Sequence, residues 1–113
     1  MEKTLSYINK KGNRVEITVT HHALERFFER WNRIFPHLAI TRAQLWDKLA
    51  EQFAMSNRVG KINSKLRLRQ KRHGKDTLYF RGNGLTFVVQ DATLLTVEIH
   101  TEGKRYLNKP SLF

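Results

Sequence analysis

The chain of 113 residues carries 21 Lys and Arg against 10 Asp and Glu, a formal net charge of 21 − 10 = +11. It has no cysteine, which excludes disulfides and thiolate metal sites, and no apolar run approaches the roughly 20 residues of a membrane span. A hydrophobic fraction of 40% suffices for one modest core, so residues 1–113 are expected to form a single domain. The opening MEKTLSYINKKGNR lacks the apolar stretch of a secretory signal. With the missing cysteines, that fits a cytoplasmic protein. So large a cationic excess on a small domain favours an anionic partner, most often nucleic acid; the alternative is a basic protein with no such partner.

In chain order, 4-TLSYI-8 and 14-RVEITV-19 read as a hairpin, with Gly12 and Asn13 in the turn. Val15, Ile17 and Val19 alternate with polar residues, as a half-buried strand requires. Thr20 is placed to cap a helix from His21 to about Phe35, with Leu24, Phe27, Phe28, Trp31, Ile34 and Phe35 in one apolar stripe. Pro36 stops it. After the loop 36-PHLAI-40, Thr41 and Gln44 have capping-box spacing and open a second helix to Met55, with Leu45, Trp46, Leu49, Ala50 and Phe53 as its apolar side.

Beyond 56-SNRVGK-61 the period becomes two. Ile62, Ser64, Leu66 and Leu68 fall on one side of a strand; Lys61, Asn63, Lys65, Arg67 and Arg69 fall on the other. The loop 70-QKRHGKD-76 leads to a strand at 77-TLYFR-81, a turn at 82-GNG-84, a strand at 85-LTFVVQ-90, a tight turn at Asp91-Ala92 and a strand at 93-TLLTVEIHT-101. A last short strand is expected at 104-KRYL-107. The pattern is α+β: an N-terminal β-hairpin, two α-helices, then a C-terminal antiparallel β-meander.

His22-Ala23-x-x-Arg26-Phe27-x-x-Arg30 resembles the opening helix of short bacterial and phage proteins that begin His-Ala-x-x-Arg-Met and finish in an antiparallel meander. This chain has Phe27 at the Met position. That group is similar to the RelE-like proteins, related in fold to barnase and colicin ribonucleases. The resemblance implies a ribonuclease-like scaffold that needs no metal or other cofactor, or a descendant that has lost the chemistry. It also implies RNA held on a basic sheet, in preference to DNA. In a toxin–antitoxin setting the partner would be an antitoxin; in a phage setting, a host protein.

Three groups of residues are candidates for a site. His22, Arg26 and Arg30 stand four apart on one helix face, with His22 in the first turn, where backbone N–H groups and the helix dipole welcome an anion. They suit a phosphate clamp, or else a solvated face where the arginines pair with Glu25 and Glu29. His21 and His22 are adjacent, so they diverge around the helix and make a poor metal pair.

From Arg58 to Lys75 eight cations occur with no acid between them. Lys61, Lys65, Arg67, Arg69, Lys71 and Arg72 are the expected nucleic-acid contacts, spaced about 6.5–7 Å apart where they alternate along a strand. Tyr79 and Arg81 would extend that face, Tyr79 by stacking on a base. The competing reading is an edge strand guarded by charge.

On the last long strand, Leu95, Val97 and Ile99 are expected to point one way and Thr96, Glu98 and His100 the other. Metal-free RNA cleavage needs a base for the 2′-hydroxyl, an acid for the leaving oxygen and cations for the intermediate. His22 or Glu98, then His100, then Arg67 match those needs, while a plain surface histidine is the alternative for His100.

Overall fold

The computed structural model describes residues 4–60 and 77–99. The expected strands at 62–69 and 104–107 lie outside them. The described elements are β1 (Thr4–Ile8), β2 (Arg14–Val19), α1 (His21–Ile34), α2 (Leu45–Met55), β3 (Asn57–Arg58), β4 (Leu78–Gly82), β5 (Leu85–Gln90) and β6 (Thr93–Ile99). The fold is α+β, with two α-helices and a six-stranded sheet.

The strand order is β1-β2-β6-β5-β4-β3. From β3 to β6 all pairings are antiparallel. The N-terminal hairpin joins this meander through a short parallel pairing, Thr18 with Thr93 and Val19 with Leu94. Because that pairing ends as β2 gives way to α1, the helix takes up the position beside β6 that a longer β2 would have filled.

Turn chemistry sets the hairpins. Asn9 organises the first: its Oδ1 accepts from the backbone N–H groups of Lys11 (3.0 Å) and Asn13 (2.9 Å). Gly12 follows at φ +81°. The β4–β5 and β5–β6 connections are two-residue turns whose central residues all have positive φ: Asn83 and Gly84 (50° and 80°), then Asp91 and Ala92 (49° and 55°). Such turns match the right-handed twist of the strands they join.

Helix α1 buries Ala23, Phe27, Trp31 and Ile34. It ends one residue before the expected Phe35, whose N–H closes on the Trp31 carbonyl at 2.8 Å. A residue preceding proline is pushed out of helical geometry, so Phe35 becomes the cap rather than the last turn. The Thr41–Gln44 capping box is present, but it caps a 3₁₀ turn over Arg42–Gln44 that runs into α2. The segment between the helices is pinned by side chains. Trp31 Nε1 donates to the Leu38 carbonyl (2.9 Å), and Asn32 bonds both backbone groups of Ile40 (2.8 and 3.2 Å). Arg42 returns a two-pronged pair to Glu25 (2.6 and 3.0 Å) and lies over the Phe28 ring.

Both helices cover one face of the sheet. Phe87, at the centre, meets Phe27 at 6.2 Å and Phe53 at 5.5 Å between ring centroids. Phe80 meets Phe53 at 5.0 Å and Tyr7 at 5.2 Å. Tyr7 is on β1 and Phe80 on β4, three strands apart in the order between them, so the sheet curls strongly around this aromatic core.

Candidate nucleic-acid interface

The face of the sheet turned away from the helices is set by strand register. Arg81 on β4 partners Thr86 on β5, which partners Glu98 on β6. One row along, Tyr79 partners Val88, which partners Thr96. In each row the three side chains stand on the same face. Arg81 Nε donates to Thr86 Oγ1 at 3.2 Å, and two strand spacings, about 9–10 Å, separate Arg81 from Glu98 along its row.

A β-bulge controls what β6 adds to this face. The pairing shifts between Val88 and Val89, so that Val88 faces Thr96 while Val89 faces Leu94, and Leu95 is the extra residue. Leu94 and Val97 are both fully buried, and Ile99 packs against the same core. This corrects the expected alternation: Leu94 takes the core position expected of Leu95. Thr96 and Glu98 do share the other face, as expected, and the bulge is what puts them there.

The bulge is tied to the start of α1 by one hydroxyl. Thr20, the N-cap, accepts from the Ala23 N–H at 3.0 Å. The same Oγ1 lies 3.1 Å from the Leu94 carbonyl and 3.3 Å from that of Leu95, to which it donates. Two residues further on, the exposed His22 sets its Nε2 3.4 Å from Thr96 Oγ1. His22 therefore touches Thr96 on β6, and Glu98 is the next residue of that strand on the same face.

Arg26 and Arg30 follow His22 along α1, and both turn to Glu29, at 2.9 and 3.6 Å. With side chains 41% and 29% exposed, they form a partly solvated cluster rather than an open clamp. Glu25 pairs with Arg42 instead, and the hydrogen bond from Arg42 holds its carboxyl below the ordinary value.

Tyr79 requires a correction. It is 2% exposed and packs with Val88 and Val59 in a small cluster on the outer face. Thr86 and Val88 beside it are fully buried. The middle of this face is covered, so the Tyr79 ring is not presented for stacking on a base. Lys61, Lys65, Arg67, Arg69, Lys71, Arg72 and His100 lie outside the described residues.

Sequence reasoning set Thr96 on the face of Glu98 but missed its contact with His22, and it missed the second role of Thr20. A signal was present: the adjacent leucines in 93-TLLTVEI-99 break a strict period of two, as a bulge does. Elsewhere, an open cleft of about 660 Å³ lies between the end of α1 and α2, lined in part by Trp31, Leu38, Asp47 and Glu51; none of the expected site residues lines it. Among the described residues no group of three or more His, Asp or Glu side chains is placed to hold a metal ion, and no helix is long and apolar enough to cross a membrane. The chain matches no family model, no curated protein and no solved structure.

Proposed function

We propose that this chain is a nucleic-acid-binding protein of RelE-like type that favours RNA over DNA, with the α1–β6 margin as the place where metal-free strand cleavage would occur. The single observation that carries the reading is the contact of His22 with Thr96, two residues before Glu98 on the same strand face, in a chain of net charge +11. An imidazole and a carboxylate on one margin are the pair that proton transfer to and from an RNA 2′-hydroxyl and leaving oxygen requires. Arg26 and Arg30 on α1, both paired with Glu29, and Arg81 on β4 add cations to the same helix and sheet, and the basic run 61–72 supplies more in sequence. Fold likeness alone assigns no activity, so the reading rests on these groups.

The test is retention of a single-stranded RNA and its DNA counterpart on a gel across a salt series. Binding is expected to weaken linearly in log–log terms, with a slope of about −0.7 per phosphate neutralised, and RNA is expected to be held more tightly. Binding that ignores salt, or no retention of either strand, contradicts the reading.

A further inference from the structure

We infer that Thr20 and Thr96 are positioning residues that set the orientation of the His22 imidazole, an inference that rests on the α1–β6 margin being the working site. The reasoning begins with the bulge. In a regular strand, a residue two beyond the buried Leu94 would also face the core. Leu95 is inserted into the ladder, and so Thr96 and Glu98 emerge on the outer face, where His22 at the start of α1 reaches Thr96.

The carbonyls of Leu94 and Leu95 both approach Thr20 Oγ1, and one hydroxyl proton serves the two. The oxygen of that hydroxyl also caps α1 at the Ala23 N–H. A further bond, from the Thr20 N–H to the Leu94 carbonyl at 3.3 Å, repeats the connection through the backbone. Helix start and bulge are thus held by a single residue two positions before His22. Thr96 completes the arrangement by meeting His22 Nε2 at 3.4 Å, leaving Nδ1 as the other ring nitrogen. Because the Thr96 hydroxyl can donate to Nε2 or accept from it, the contact serves either neutral tautomer and fixes where the ring points.

The experiment uses full-length protein and two isosteric variants, Thr20→Val and Thr96→Val, with Thr20→Ser and Thr96→Ser as conservative partners. Imidazole ¹⁵N shifts report hydrogen bonding at the His22 ring nitrogens, with His22→Gln identifying its signals among the five histidines. Both valine variants are expected to shift the Nε2 resonance of His22, because its hydroxyl partner is removed or displaced, and both serine variants to restore it. In parallel, RNA cleavage or retention is expected to fall at least about tenfold in the valine variants and to recover with serine. If Thr20→Val unfolds, Thr96→Val decides the matter alone, because it removes a surface hydroxyl and leaves the helix cap intact. An unchanged His22 signature in folded Thr96→Val overturns the positioning role, whatever happens to RNA. A changed signature in a protein whose wild type neither holds nor cuts RNA upholds the orienting contact and overturns the functional reading instead.

Discussion

His22 on α1 and Thr96 on β6 meet at 3.4 Å across 74 residues of sequence, and the contact exists because β6 is bulged at Leu95. The start of α1 and the strand that runs on beyond the end of β2 are joined there. Replacing His22 with alanine is expected to leave thermal unfolding almost unchanged, since the side chain is exposed, while lowering RNA retention or cleavage. Equal loss of stability and activity would show instead that His22 is a structural residue.

Tyr79 separates two ways of holding nucleic acid. A base stacked on its ring would be worth about 1–3 kcal/mol, so Tyr79→Leu would weaken RNA binding by roughly 5- to 150-fold. The ring is 2% exposed, so the variant is expected to lower stability and leave RNA affinity of the folded protein within about twofold. Urea unfolding beside a gel-retention titration checks both parts.

Ala92 sits at φ +55° in the turn between β5 and β6, a conformation that costs a residue with a Cβ about 1 kcal/mol or more. Ala92→Gly removes that strain and loses part of the gain to a more flexible unfolded chain. A net stabilisation of about 0.5 kcal/mol is expected, read as a higher urea midpoint with an unchanged slope. In contrast, Phe87 lies fully buried between Phe27 and Phe53, and Phe87→Ala is expected to cost about 3–5 kcal/mol.

Glu25 links stability to pH. The hydrogen bond from Arg42, and then the attraction of its charge, put the Glu25 carboxyl below its ordinary value of 4.5. A depressed carboxyl stabilises the fold above its unfolded value, and that contribution is lost as pH falls through the lower, folded value. Arg42 is shifted upward by the same pair, so its share is present throughout the acidic range and is not lost on acidification. Stability of the wild type is therefore expected to decline more steeply below about pH 4.5 than that of Glu25→Gln. Parallel curves for the two proteins would show that the pair contributes nothing to acid sensitivity.

The hairpins and helices were legible because their signals are local. Alternation at Val15, Ile17 and Val19, the Thr20 cap, Pro36, the Thr41–Gln44 box and the Asn83-Gly84 turn each act within a few residues. The β5–β6 turn was legible too, although Ala92 is a poor residue for positive φ, because Asp91-Ala92 separates two apolar runs. What escaped was long-range. The parallel pairing of β2 with β6, the curl that brings Tyr7 to Phe80, and the short strand β3 at Asn57–Arg58 depend on contacts between distant segments.

The site divides in the same way. The face shared by His22, Arg26 and Arg30 follows from helical spacing, as does the facing of Thr96 with Glu98 from strand period. The burial of Tyr79 does not, because Tyr79 and Arg81 alternate together and only tertiary packing distinguishes a covered ring from a presented one. Nor does Glu29 as the shared partner of Arg26 and Arg30: Glu25 precedes Arg26 as Glu29 precedes Arg30, and its commitment to Arg42 is set by the fold of the interhelix segment.

The central claim is tested most directly by incubating the pure protein with a mixed-sequence RNA in EDTA, beside a His22→Ala, His100→Ala double variant. The account predicts cleavage by the wild type, little or none by the variant, and salt-sensitive retention of RNA by both. RNA left intact and unretained by the wild type would contradict it and direct attention to a protein partner.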